Sequence, residues 1–262
     1  MDSEFAGRFH EGVTVPKPFV LFDLGETLVD LRELLVSLAA NLAAKYPTLQ
    51  GDVADLVRRW IVDASRAMPR DPDQRFVSEF QVASAVMAQI LQGRGIRVSD
   101  AAAGTILREG WNDFETRVHF VQGVTEEWLK EVRSLSAGLA IVTDGDRENV
   151  NRLLRHLPLA AYFDVIVTSE DVKAYKPNPS IYEAALRALH APADRSIFVS
   201  DSAQDLHGAA ALGMATCLFG SQPIDRSSEL PAGSLHLLDP RGFPAALRQY
   251  SSTGRLRSAD AG

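Results

Sequence analysis

Six short apolar runs recur along the chain: FVLFD (19–23), GLAIVT (138–143), DVIVT (164–168), SIFVS (196–200), ATCLF (215–219) and SLHLL (234–238). Each is bounded by Gly, Pro, Asp or Ser, and helical patterns such as NPSIYEAALRAL (178–189) fall between them. Strands alternating with helices imply parallel pairing, because a parallel connection needs a long crossover, and the helices then cover both faces of the sheet. The expected fold class is therefore α/β, a doubly wound parallel sheet. Such sheets bind ligands at the carboxyl ends of their strands, where loop amides and helix N-termini converge.

The rhythm breaks once. More than 100 residues separate the first run from the second, and from Leu31 to Arg117 they read as successive helices: 31–46, 52–68, 76–92 and 100–115. Apolar residues recur there at three- and four-residue spacing, with Pro69, Pro72, Gly93 and Gly95 as punctuation. An insertion of that length forms a helical subdomain of its own. It leaves the sheet just after Asp23, so it overhangs the ligand edge like a lid, with hinges near Val29–Asp30 and Val118–Gly123. The expected boundaries are a disordered N-terminus over 1–17, an α/β core over 18–30 and 118–250, an all-helical cap over 31–117 and a disordered tail over 251–262.

Composition narrows the function classes. With 46% hydrophobic and 23% charged residues among 262, the chain has material for one sizeable core and a smaller second one. A net charge of −7 disfavours nucleic acid and anionic membrane as partners, since neutralising phosphates needs a basic face. The expected partner is a small molecule. The single cysteine, Cys217, lies in an apolar run and excludes disulfide scaffolds and cysteine-built metal sites. The absence of a long apolar run or a secretory leader at the N-terminus suggests a soluble, cytoplasmic monomer or homodimer.

Placed side by side, the strand ends collect Asp23, then Thr143, Asp144 and Gly145, then Lys176 in AYKPNPSIY, and finally Asp201 and Asp205 in FVSDSAQDLHGAAALGM. In this order, with a helical insertion between the first and second motifs, the sequence resembles the haloacid dehalogenase superfamily with a helical cap of the C1 type. The resemblance runs from Phe19 to about Leu238. It implies a Rossmann-like core and, for the phosphatases of the family, Mg²⁺-dependent hydrolysis of a small phosphorylated metabolite. Asp23 at a strand end is then the nucleophile, forming an aspartyl-phosphate. Asp201 and Asp205 suit a hard cation that prefers oxygen ligands, completed by Asp23 and the Gly25 carbonyl. The Thr143 hydroxyl and the amides of Asp144 and Gly145 hold a phosphate oxygen, and Lys176 neutralises nucleophile and phosphoryl group together. Asp144 is expected to act through its amide, since another carboxylate beside phosphate repels it.

Position 25 departs from the pattern. The family's phosphatases usually carry there an aspartate that protonates the leaving group; Gly25 keeps the carbonyl and loses the acid. General acid–base assistance is worth about 10²–10⁴ in rate. The acid would then come from Glu26, from a cap carboxylate or from water, unless the leaving group needs little help. The family's dehalogenases and phosphonate hydrolases also lack this aspartate. The dehalogenases need no metal and typically have no acid at the position of Asp201, whereas the phosphonate hydrolases use a cap lysine, and residues 31–117 contain only Lys45. A non-catalytic member that binds a phosphorylated ligand or a protein is the remaining alternative. Ser200, where the family has glycine, is a smaller departure.

Other residues carry less. His10, His119, His156, His190, His207 and His236 have no metal-ligand spacing. Trp60 and Trp111 read as packing anchors of the cap. The cluster Arg58, Arg59, Arg66, Arg70 and Arg75 could face an anionic substrate, but reads mainly as a solvated helix face.

Overall fold

The first apolar run forms β1 (Phe19–Phe22), and a tight turn leads to the two-residue strand β2 (Val29–Asp30). Four helices follow: α1 (Arg32–Lys45), α2 (Val53–Ala67), α3 (Glu79–Gly93) and α4 (Asp100–Glu115). The chain returns through β3 (His119–Phe120) and α5 (Glu126–Leu135) to β4 (Gly138–Thr143) and α6 (Arg147–His156). It continues through β5 (Val165–Thr168), the short α7 (Ser169–Val172), α8 (Pro179–Leu189) and β6 (Ser196–Ser200). It closes with α9 (Ala203–Ala211), β7 (Ala215–Phe219), β8 (Leu235–Leu237) and α10 (Phe243–Thr253). These assignments come from a computed structural model that describes residues 16–49, 51–71, 73–220 and 229–256.

Among the described residues the sheet has six parallel strands in the order β5-β4-β1-β6-β7-β8. The six apolar runs are these six strands, so the expected α/β class holds. Side chains alternate across a strand, and the burial follows that period. Val20 and Phe22 of β1 face one layer, where Phe22 meets Trp128, Phe163, Phe219 and Phe243 edge-on or tilted at centroid distances of 5.7–6.4 Å. Leu21 faces the other, with Ile181, Tyr182 and Ala185 of α8 and Leu206 of α9. Both faces of the sheet are therefore covered, which is why its inner strands are apolar throughout rather than alternating.

The insertion is all helical between β2 and β3. These two strands pair antiparallel, Val29 with Phe120 and Asp30 with His119, and tie together the points where the chain leaves and re-enters the core. This small ladder was not expected; strands of two residues carry no readable period. α3 begins at Glu79, not at Phe76, because Ser78 is an extended N-cap that forms a capping box with Gln81. Trp60 is an anchor as expected: its indole N–H donates to the Ala83 carbonyl at 3.0 Å, tying α2 to α3.

The tail expectation needs correction at its start. Ser251 to Thr253 complete α10, whose buried Leu247 and Tyr250 hold it on the core, and Leu256 is itself buried. The remainder of the two terminal expectations, over 1–15 and 257–262, lies outside the described residues. No helix among the described residues is long and apolar enough to cross a membrane.

Candidate active site

β1 lies between β4 and β6, with Phe22 level with Ile141 and Val199. The residue after β1, Asp23, therefore emerges at the centre of the sheet's carboxyl edge, and its amide still donates to the Val199 carbonyl at 2.9 Å. Thr143 ends β4 and Asp201 follows β6, so parallel register brings the sequence-distant motifs to one edge.

Lys176 joins them. Its ammonium is buried, with Nζ 2.5 Å from Asp23 Oδ1 and 2.6 Å from Asp205 Oδ2. Burial opposes the charge of Lys176, but Asp205, Asp23 and Asp144 outweigh it and hold the ammonium well above its ordinary range. Asp23 is nevertheless pushed up, because burial outweighs the attraction of Lys176. Asp201 is pushed up to about 8 by burial and by the charges of Asp23 and Asp205. Thr27 braces it: the Thr27 hydroxyl donates to Asp201 Oδ1 at 3.2 Å and accepts the Asp201 amide at 3.1 Å.

Two expected site residues have further partners in the structure. Asp205 was grouped with the metal donors, but its Oδ2 is occupied by Lys176 Nζ and by the Ser200 hydroxyl at 3.2 Å. Asp205 is thus the ion-pair partner that positions Lys176. Ser200 supplies that bond and also accepts the Ser202 amide at 3.1 Å. Asp144 was expected to act through its amide more than its carboxylate. Its carboxylate accepts the Lys176 amide at 2.9 Å and lies 3.6 Å from the Arg70 guanidinium, while burial raises it to about 7. Thr143 is buried and its hydroxyl accepts the Gly145 amide at 3.3 Å.

The Gly25 turn is settled by its neighbour. Glu26 takes the left-handed conformation at φ 53°, and Glu26 N–H donates to the Val29 carbonyl while Val29 N–H donates to Leu24. Neither bond uses the Gly25 carbonyl. The Glu26 carboxylate turns back along its own chain and accepts the Leu31 amide at 2.9 Å.

The insertion contributes residues that sequence reasoning missed. Arg70, read there as part of a solvated face, donates through Nε to the Lys176 carbonyl at 3.0 Å. Asp146 accepts the amides of Glu79 and Phe80 at 2.9 and 2.8 Å, so a core loop caps a helix of the insertion. Between the two parts lies a cavity of about 440 Å³. Its lining is largely apolar, including Leu34, Trp60, Met68, Leu107 and Trp111, and its polar lining includes Asp144, Arg70 and Glu79. Trp111 is thus a cavity residue as well as a packing one. No spacing in the sequence links these residues, because the contact runs between two separately folded parts. Among the described residues, no group of three or more His, Cys, Asp and Glu side chains is arranged to hold a metal ion.

Comparison with known proteins agrees with this geometry. Residues 20–219 match the family model of haloacid dehalogenase-like hydrolases. The chain is 29% identical over 204 residues to pyrophosphatase PpaX of Halalkalibacterium halodurans, spanning 77% of this chain and 82% of that one. It is 28% identical over 214 residues to a phosphoglycolate phosphatase of Pseudomonas syringae pv. syringae, spanning 80% and 70%. Its fold matches the L-2-haloacid dehalogenase of Xanthobacter autotrophicus with a TM-score of 0.72 at 17% identity, covering 89% of this chain and 99% of the other. At that identity the likeness speaks for the fold alone. With 200 matched residues, a doubly wound sheet and the motif residues gathered at its carboxyl edge, the chain belongs to the haloacid dehalogenase-like hydrolases.

Proposed function

We propose that this hydrolase is a Mg²⁺-dependent phosphatase acting on a small phosphorylated metabolite through Asp23. The observation that carries the reading is the buried bridge Asp23–Lys176–Asp205 with Asp201 beside it. Lys176 holds Asp23 in place, and its charge faces the phosphoryl group during attack. The Thr143 hydroxyl and the amides of Asp144 and Gly145 offer hydrogen bonds to phosphoryl oxygens. Two phosphatase relatives matched over most of the chain add support.

The donor set fits a hard cation in a reduced form. Asp23, Asp201 and the Gly25 carbonyl are oxygen donors, and Mg²⁺ is commonly held by one or two carboxylates with water and substrate phosphate. Bound there, Mg²⁺ would supply charge neutralisation at the phosphoryl oxygens. The apolar wall of the cavity suits an ester whose alcohol has substantial apolar surface.

The test is phosphate release from a panel of esters, with and without EDTA, by the wild type and Asp23→Asn. Asparagine keeps the shape but cannot attack, so undiminished hydrolysis in that variant overturns the assignment. One observation favours a second reading: Gly25 carries no acid and Asp205 is committed to Lys176, leaving an ion-paired Asp23 suited to metal-free displacement at carbon. Halide release from a 2-haloacid in the presence of EDTA would establish that reading instead.

A further inference from the structure

A departing alkoxide needs a proton, and position 25 cannot give one. The carboxyls around the site are mostly engaged. Asp144 accepts from Lys176 and faces Arg70, Asp146 accepts two amides through its two oxygens, and Glu26 is bonded to Leu31. Glu79 differs. It lines the cavity, and its Oε2 stands 3.7 Å from where a Cβ on Gly145 would be, beside the Thr143–Gly145 loop. Its helix is fixed against the core by Asp146, so the carboxyl is delivered by a clamped first turn rather than a free loop.

We infer that Glu79 is the catalytic proton donor to the departing oxygen, in place of a carboxyl at position 25; the inference rests on the phosphatase reading. Its surroundings keep the proton available. Burial first, then the charges of Asp146, Asp144 and Asp23, push Glu79 up to about 8, opposed by the Asp146 amide turned toward it. Arg70, Arg108 and Arg152 are the cations on the same cavity wall, with Glu148 and Glu170 its remaining acids.

The step balances. An Asp23 oxygen attacks phosphorus, the bond from phosphorus to the leaving oxygen breaks with its electron pair staying on that oxygen, and the Glu79 proton moves to it. Alcohol, aspartyl-phosphate and Glu79 carboxylate result. Water then attacks phosphorus and loses a proton to solvent while the phosphorus–Asp23 bond breaks to release phosphate, and Glu79 regains a proton from solvent. Both residues return to their starting forms.

The experiment compares wild type with Glu79→Gln on an alkyl phosphate and on p-nitrophenyl phosphate at saturating Mg²⁺, with folded fraction matched by circular dichroism. Alkyl ester kcat falls about 10²-fold and the basic limb of its pH profile near 8 disappears, while the aryl ester, whose phenolate leaves unaided, is nearly unaffected. Equal loss on both esters, or no loss on either, overturns the inference and leaves the phosphatase reading standing. A wild type that releases phosphate from neither ester overturns both. Independently of turnover, the carboxyl resonance absent from Glu79→Gln titrates near 8 in the substrate-free protein. Titration in the ordinary glutamate range overturns the inference.

Discussion

The Asp146 carboxylate, on the loop after β4, accepts the amide of Glu79, on the insertion, at 2.9 Å. A side chain of one part thus satisfies the open end of a helix in the other. The free N–H groups of a helix start attract a carboxylate, and removing a capping side chain costs about 1 kcal/mol. Asp146→Ala should lose roughly that stability in urea denaturation. Amide exchange should rise at Glu79 and Phe80 while the strands stay protected; an unchanged first turn of α3 would contradict the clamp.

Glu79 makes stability depend on pH. Its folded value of about 8 lies above its unfolded one, so between the two the folded state keeps a proton that the unfolded state releases. Stability therefore falls as pH rises through that window, and the loss is complete above about 8. Glu79→Gln cannot ionise and escapes this cost. Its stability relative to wild type should climb from pH 5 to pH 9, by an amount on the order of a few kcal/mol. Thermal melts across this range check the sign.

Putting Asp at position 25 tests whether the site lacks an acid. Gly25 does not have a positive φ, and an added Cβ would come within 2.9 Å only of the end of the Leu31 side chain, which can move. Gly25→Asp should therefore fold. With Glu79 present, the ratio of alkyl to aryl phosphate hydrolysis should change little. In Glu79→Gln the same substitution should restore about tenfold or more of the lost alkyl activity.

Gly208 of α9 holds the ground behind Lys176. A Cβ there would meet Pro177 Cβ and O at 2.8 Å and the Tyr182 hydroxyl at 2.7 Å, and that hydroxyl donates to the Asp205 carbonyl. Gly208→Ala should cost about 1–3 kcal/mol through overpacking. Because Pro177 follows Lys176, kcat should fall more than KM rises, measured on an aryl phosphate at equal folded fraction.

The sheet, its parallel sense and the edge where chemistry would gather were legible because they follow from local pattern. Runs such as FVLFD and SIFVS are too short and too apolar for surface helices, and the helices between them leave only parallel pairing. Asp23, Thr143, Lys176 and Asp201 were legible for the same reason, since each stands just beyond a strand or in a motif beside one. The β2–β3 ladder was not, because two residues show no period. Nor were the partners of Asp205 and Asp144: spacing along a helix cannot tell a carboxylate aimed at a cation site from one paired with a buried ammonium, and only packing brought Lys176 between Asp23 and Asp205. Arg70 read as part of a solvated helix face, and no pattern singled out Glu79 among the carboxylates of the insertion. What distinguishes them is the orientation of that insertion over the sheet, set by contacts such as Asp146 with Glu79 and Arg70 with Lys176 between residues far apart in the chain. Burial in that interface raises the Glu79 carboxyl, and burial is a property of the assembled structure.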